Sequence, residues 1–384
     1  MKKSKIFAII IFIILSIIIC KPNLVYADEL TDNINDQISN MDFSDLEIFF
    51  NQLEIPNNTT FSDFLGKLIN GDINVNFGSI FEYLLNQIFF IINDLIPLFI
   101  SVIAISLFIS IINGTKGGLL KSSTSDVIFF VCYLSIIILT TGCVGLVFNN
   151  TKNTIEKLTN LTEIMSPIIL TLMIASGGNV SAGIYKPAVS FLSSGIVSIV
   201  SNVALPAVGI MIIFTILSNF SEKIKLKKFT EFISSAIKWI LGISITIFTL
   251  FMTVQGITSA TYDGISLRAT KYAISNSIPI IGGFLKDGFD IVVAGSVIIK
   301  NSVGIIGVFA LFYIVLSPVI YIVIVSLLLK LTASIIEPIS DSRISDFCMS
   351  LSKSISYLNT CTLMVGFMVF ILTLIMTFTA NAFI

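Results

Sequence analysis

The sequence predicts an all-α polytopic membrane protein: a helical bundle with an internal parallel duplication and broken or re-entrant segments. Three observations predict it. Hydrophobic residues make up 55% of the chain and charged residues only 12%, about half the charged share of a soluble domain. Six uncharged apolar runs, each of at least 18 residues, follow one another from Leu95 onward. Between them lie lysine-bearing linkers and two stretches interrupted by glycine or by charge. Lipid must solvate much of such a chain, because one aqueous core cannot hide its apolar surface.

The elements follow in chain order. Residues 1–27 read as a cleaved signal peptide. Lys2, Lys3 and Lys5 precede an apolar core from Ile6 to Cys20, and Val25-Tyr26-Ala27 offers a cleavage site. Residues 28–94 form an acidic extracytoplasmic region with twelve carboxylates against one base, Lys67. Its apolar clusters, Phe43 to Phe50 and Phe61 to Ile69, read as short amphipathic helices. The spans are 95–112, 127–148, 203–220, 239–261, 303–329 and 355–380. Each is long enough for ~30 Å of hydrocarbon. The first two make a hairpin over 95–148. Ile164 to Tyr185 is broken by Ser176-Gly177-Gly178-Asn179, and Tyr272 to Ile299 by Lys286, Asp287 and Asp290. Each of these reads either as a full crossing or as a half-helix that turns back.

Basic residues set the orientation. With the N-terminus outside, the linkers 113–126, 221–238 and 330–354 face the cytoplasm. Lys223, Lys225, Lys227, Lys228, Arg343 and Lys353 are then the candidate cytoplasmic interface. The linker 222–238 alternates lysines with apolar residues at helical spacing and reads as an amphipathic helix lying on the inner leaflet. Its counterpart places Ile344, Phe347, Cys348, Leu351 and Ile355 on one face.

The chain also matches itself at an offset of 112 residues. Pro206 falls on Pro318, Gly183 on Gly295, and Gly195 on Gly307. The two copies are membrane repeats over 164–261 and 276–380, parallel in orientation. Backbone breaks are expected at Gly177, Gly178, Gly183, Gly282, Gly283, Gly295, Pro206 and Pro318. Irregular backbone at membrane depth persists only where protein or water satisfies it. Lys286, Asp287 and Asp290 are therefore the candidate lining of a hydrated pathway, since charges there must meet water or each other.

Enzyme chemistry finds no support. The chain has no histidine, which excludes His-based metal sites, His general bases and Cys/His pairs. The five cysteines follow no disulfide or zinc spacing, and no phosphate-binding GxxxxGK[ST] loop occurs. No catalytic residue, cofactor or metal is expected, and a net charge of -1 gives no case for nucleic acid.

Two short motifs carry a family resemblance. Tyr185-Lys186-Pro187-Ala188-Val189-Ser190-Phe191 and Glu337-Pro338-Ile339-Ser340-Asp341-Ser342-Arg343-Ile344 occur in a chain ordered as signal peptide, short ectodomain and multispanning body. In these features the sequence resembles the stage III sporulation protein AE family of endospore-forming Firmicutes. The resemblance implies a non-enzymatic subunit of the channel apparatus joining mother cell and forespore, set in the mother-cell-derived outer forespore membrane. The implied partners are other stage III A operon products, an ATPase and ring-forming subunits, and indirectly stage II sporulation protein Q. The residues alone leave two other readings open: a secondary transporter acting by itself, and a structural or signalling anchor.

Overall fold

The computed structural model describes residues 28–53, 60–71, 77–114, 122–220, 226–277 and 282–379. The signal-peptide segment 1–27 lies outside these residues, as do Lys116, Lys121, Lys223 and Lys225. Every described element is helical.

Three short helices come first: α1 (Asp28–Ser39), α2 (Ser44–Gln52) and α3 (Phe61–Ile69). The starts of α2 and α3 are chemically marked. Asp42 Oδ1 accepts from the Ser44 N–H at 2.9 Å, and the Thr60 hydroxyl accepts from the Asp63 N–H at 3.2 Å, each meeting an N–H that a helix start leaves unsatisfied. Phe61 gathers Phe43 and Phe50 at ring-centroid distances of 5.4 and 5.6 Å.

The body consists of long rods. They are α4 (Phe77–Gly114), α5 (Ser122–Ala175), α9 (Lys227–Ser277), α10 (Gly282–Ile336) and α11 (Ser342–Phe378). A sixth rod is compound. In it α6 (Asn179–Ser190), a π-helical turn Phe191–Ile196, α7 (Val197–Ile199), a second π turn Val200–Ala204 and α8 (Leu205–Phe220) run on without interruption. Six helices are long and apolar enough to cross a membrane, and the protein is an all-α polytopic membrane protein. Each of the six apolar runs coincides with one of them, the last as far as Phe378. At ~1.5 Å per residue the 54-residue α5 is ~80 Å long. It therefore exceeds the ~30 Å hydrocarbon core by more than a factor of two.

The second π turn has a local cause. Proline lacks an N–H and crowds the carbonyl four residues back. For Pro206 that carbonyl belongs to Asn202, inside the second π turn. Widening the helix there relieves the crowding.

Side-chain rungs fix how the rods run. Arg343 lies over Phe129 at 4.0 Å, and Tyr133 meets Phe347 edge-on at 5.8 Å, so α5 and α11 are parallel. Tyr83 stacks on Tyr313 at 6.4 Å, and Gln87 Nε2 donates to Ser317 Oγ at 2.6 Å, so α4 runs parallel to α10. Ser326 and Ser352 hydroxyls meet at 2.8 Å, joining α10 to the antiparallel α11. Glycines bring these rods close. A Cβ at Gly304 would strike Thr377, one at Gly307 would strike Met165, and one at Gly366 would stand 3.0 Å from Val315. α11 is the axis: 61% of its most apolar window is buried, against 28–44% in the other five spans.

Two sequence expectations change. The lysine-rich stretch is not a separate surface helix; from Lys227 it is the first part of α9, continuous to Ser277. Ile344, Phe347, Cys348, Leu351 and Ile355 do share a face, but all are buried in protein at 1% exposure or less. Their period describes packing inside the bundle and not contact with an inner leaflet. The stretches 164–185 and 272–299 are the ends of long rods, with α5 turning into α6 at Gly177 and α9 followed by α10. As for the repeat, α6–α8 precedes α9 as α10 precedes α11, yet the matched glycines are used differently. Gly295 is closely packed, whereas a Cβ at Gly183 would meet nothing within 4 Å.

Candidate functional site

The densest buried polar chemistry lies where α5 turns into α6. Gly177 has φ +88, a left-handed conformation that costs glycine little. Its N–H donates to Ile174 O at 2.9 Å and the Gly178 N–H to Met173 O at 2.8 Å. These two bonds close α5 as a Schellman motif. The new helix α6 begins one residue later, and its cap comes from far away in the chain. Asp263, on α9, accepts from the Val180 N–H at 3.0 Å, the Ser181 N–H at 3.2 Å and the Ser181 hydroxyl. A carboxylate at a helix start meets both the unsatisfied N–H groups and the positive end of the helix dipole.

Lys300, on α10, is as fully buried as Asp263. Its ammonium donates to the backbone carbonyl of Thr379, and the Asp263 charge acts on it across the cluster. The Thr379 hydroxyl lies 3.2 Å from the Tyr185 hydroxyl, and Tyr185 is itself wholly buried. One cluster of Asp263, Ser181, Lys300, Thr379 and Tyr185 thus ties α6, α9, α10 and the end of α11 together. Three donors meet the Asp263 carboxylate and a backbone carbonyl meets the Lys300 ammonium, which offsets part of the cost of burying the two charges.

A second anchor lies at the opposite end of the bundle. Asp341 caps α11, accepting from the Arg343 N–H at 3.0 Å, and holds the Arg343 guanidinium through two bonds of 3.0 and 2.7 Å. Ser340 Oγ donates to Ser106 O at 2.8 Å, Ser110 Oγ donates to Ile339 O, and Ser345 Oγ donates to Ala333 O at 3.0 Å. The turn between α10 and α11 is thereby fastened to α4. The two motifs quoted from the sequence occupy the two anchors, Tyr185 in the first and Ile339 to Arg343 in the second.

The predicted site residues are placed as follows. Lys286, Asp287 and Asp290 stand in the first turns of α10, and Asp290 pairs with Lys271 of α9 at 2.7 Å. Asp287 is exposed. Gly282 and Gly283 open α10, Pro318 lies within it, and Pro206 lies at the start of α8. Lys227 and Lys228 open α9, with Lys228 3.4 Å from Glu231, and Lys353 is exposed on α11. Among the described residues no group of three or more Cys, Asp or Glu side chains stands close enough to hold a metal ion. Sequence reasoning missed the pairing of Asp263 with the start of α6. The one available signal was a single acid, Asp263, isolated in the polar end of an otherwise apolar stretch.

The family model described as stage III sporulation protein AE matches residues 59–380. The chain belongs to the stage III sporulation protein AE family. A relative of that name in Bacillus subtilis (strain 168) is 29% identical over 318 residues, covering 82% of this chain and 79% of its own. No solved structure matches. The family match takes in both anchors and α3, while α1 and α2 precede it. The chain is accordingly a sporulation protein of the membrane, and it passes through that membrane several times.

Proposed function

We propose that this protein is a non-enzymatic membrane subunit of the channel or secretion-like apparatus that links mother cell and forespore, working only within a complex. The observation that carries the reading is a filled bundle axis in a member of this sporulation family. Leu358, Cys361, Val365 and Met368 of the central α11 are all wholly buried. A core packed in this way favours a scaffold that joins other subunits over a permease acting alone. In this reading the protein sits in the mother-cell-derived outer forespore membrane. Its acidic segment 28–94 faces the intermembrane space, and its lysine-bearing turns face the mother-cell cytosol. The partners are an ATPase and ring-forming proteins of the same operon, with stage II sporulation protein Q reached indirectly.

The hairpin 95–148 then leads into two copies of one helical unit, 164–261 and 276–380, as the order of α6–α9 and α10–α11 suggests. Lys286, Asp287 and Asp290 are the candidate lining of a hydrated path that runs beside the filled axis and not along it.

The test is genetic and biochemical together. Deletion is expected to arrest sporulation after engulfment, and detergent extracts are expected to retain the operon partners on the tagged protein. Solute uptake into liposomes by the purified protein alone would overturn the reading. Full sporulation after neutral substitution of Lys286, Asp287 and Asp290 together would remove the pathway from it.

A further inference from the structure

The end of α9 beyond its apolar span carries an exposed apolar and basic face. Tyr262, Ile265 and Tyr272 are 56%, 63% and 72% exposed, and Arg268 is exposed beside them. Their spacing puts them on one side of α9. Asp263, Leu267 and Lys271, which meet α6, Gly177 and α10, lie on the other. The apolar run 239–261 already suffices for a ~30 Å crossing, so lipid does not account for this outer face. Tyrosine and arginine are the residue types that anchor protein interfaces.

The same end of the molecule carries a complementary surface. α1 docks on α10 through Ile34 and Gln37. Gln37 Nε2 donates to Val292 O at 3.1 Å, and Ser296 Oγ donates to Gln37 Oε1 at 2.8 Å. A Cβ at Gly295 would stand 2.9 Å from Asn33 Oδ1, so the fit depends on that glycine. The outward side of α1 exposes Asp32 and Asp36. The two faces stand at one height. Lys271 of α9 meets α10 at Asp290 and Gln37 of α1 meets it at Val292, two residues or ~3 Å apart along the helix axis.

We propose that copies of this chain standing side by side in one membrane associate head to tail, the Tyr262–Ile265–Arg268–Tyr272 face of one copy seating on the acidic face of α1 in the next. Equal height is what a shared membrane requires of two such faces. Opposite charge, Arg268 against Asp32 and Asp36, sets which face meets which. The contact is heterologous, so each copy offers both surfaces and more than two can join.

The full-length protein in nanodiscs tests it. A copy carrying Ile265→Cys and a differently tagged copy carrying Asp36→Cys are expected to crosslink to each other when co-expressed, while neither crosslinks to itself. Arg268→Glu is expected to cut the yield at least tenfold, and Asp32→Arg in the Asp36→Cys copy to restore it. An unchanged helical circular dichroism spectrum shows that each variant is folded. Several outcomes overturn the proposal: monomers alone by mass photometry, self-crosslinking of Ile265→Cys, a yield indifferent to charge reversal, or capture of a different protein at Ile265→Cys in sporulating cells.

Discussion

The ammonium group of Lys300 reaches the carbonyl of Thr379, one residue past the last turn of α11. A cation there meets an unsatisfied carbonyl and the negative end of the helix dipole. Asp263 does the converse for α6. The two side chains do different work. Asp263→Ala leaves the Val180 and Ser181 N–H groups and the Ser181 hydroxyl without their acceptor, and is expected to cost about 2–4 kcal/mol. Lys300→Met keeps the volume and is expected to cost less, about 1–2 kcal/mol. The double variant should cost less than the sum, because both residues belong to one buried polar cluster. Thermal unfolding in detergent, run as a double-mutant cycle, measures all three.

Gly177 offers a separate test of the turn. A Cβ there is strained at φ +88 and would also strike the Leu267 side chain. Gly177→Ala is expected to destabilise by about 1–3 kcal/mol. Leu267→Ala in the same chain should recover the steric part and leave the conformational part. Gly183→Ala meets nothing within 4 Å, sits inside a helix, and is expected to be neutral or stabilising by about 0.5–1 kcal/mol.

The glycines of α10 should differ according to what faces them. At Gly307 a new Cβ meets the flexible end of Met165, which can swing aside; at Gly304 it meets Thr377, whose own Cβ lies only 2.7 Å away. Gly304→Ala is therefore expected to lower the melting temperature more than Gly307→Ala. A β-branched neighbour has few rotamers to retreat into. Thr377→Ala should relieve much of the difference.

At the other anchor, Arg343 is held by Asp341 in a bidentate pair and lies over Phe129. Arg343→Ala is expected to cost about 1–3 kcal/mol, and Arg343→Lys to recover little, because an ammonium cannot reproduce the planar fork. The Lys271–Asp290 pair is partly exposed, with side-chain accessibilities of 24% and 38%. Asp290→Asn should therefore change stability by less than about 1 kcal/mol. Melting curves of the three variants side by side decide it.

Hydropathy is a property of a window, so each of the six apolar runs could be read from residues alone. The Gly177 turn was legible for a related reason: consecutive glycines beside a serine and an asparagine mark a change of chain direction. The face formed by Ile344, Phe347 and Leu351 was legible as a period, but a period does not say whether protein or lipid lies opposite. Asp263 was not legible. Its partners, Val180 and Ser181, are 83 and 82 residues away in the chain, and no local pattern records that distance. The same holds for Gly295, whose neighbours Asn33 and Gln37 come from the first described helix.

The length of the rods has a mechanical meaning. α5, α9 and α10 are each one unbroken helix from end to end, so a push or twist delivered at the Pro338 turn arrives near Gly177 with little lost on the way. The compound rod is built otherwise. Its two widened turns, on either side of three ordinary residues, make a soft joint in the middle of an otherwise stiff frame, and bending should concentrate there.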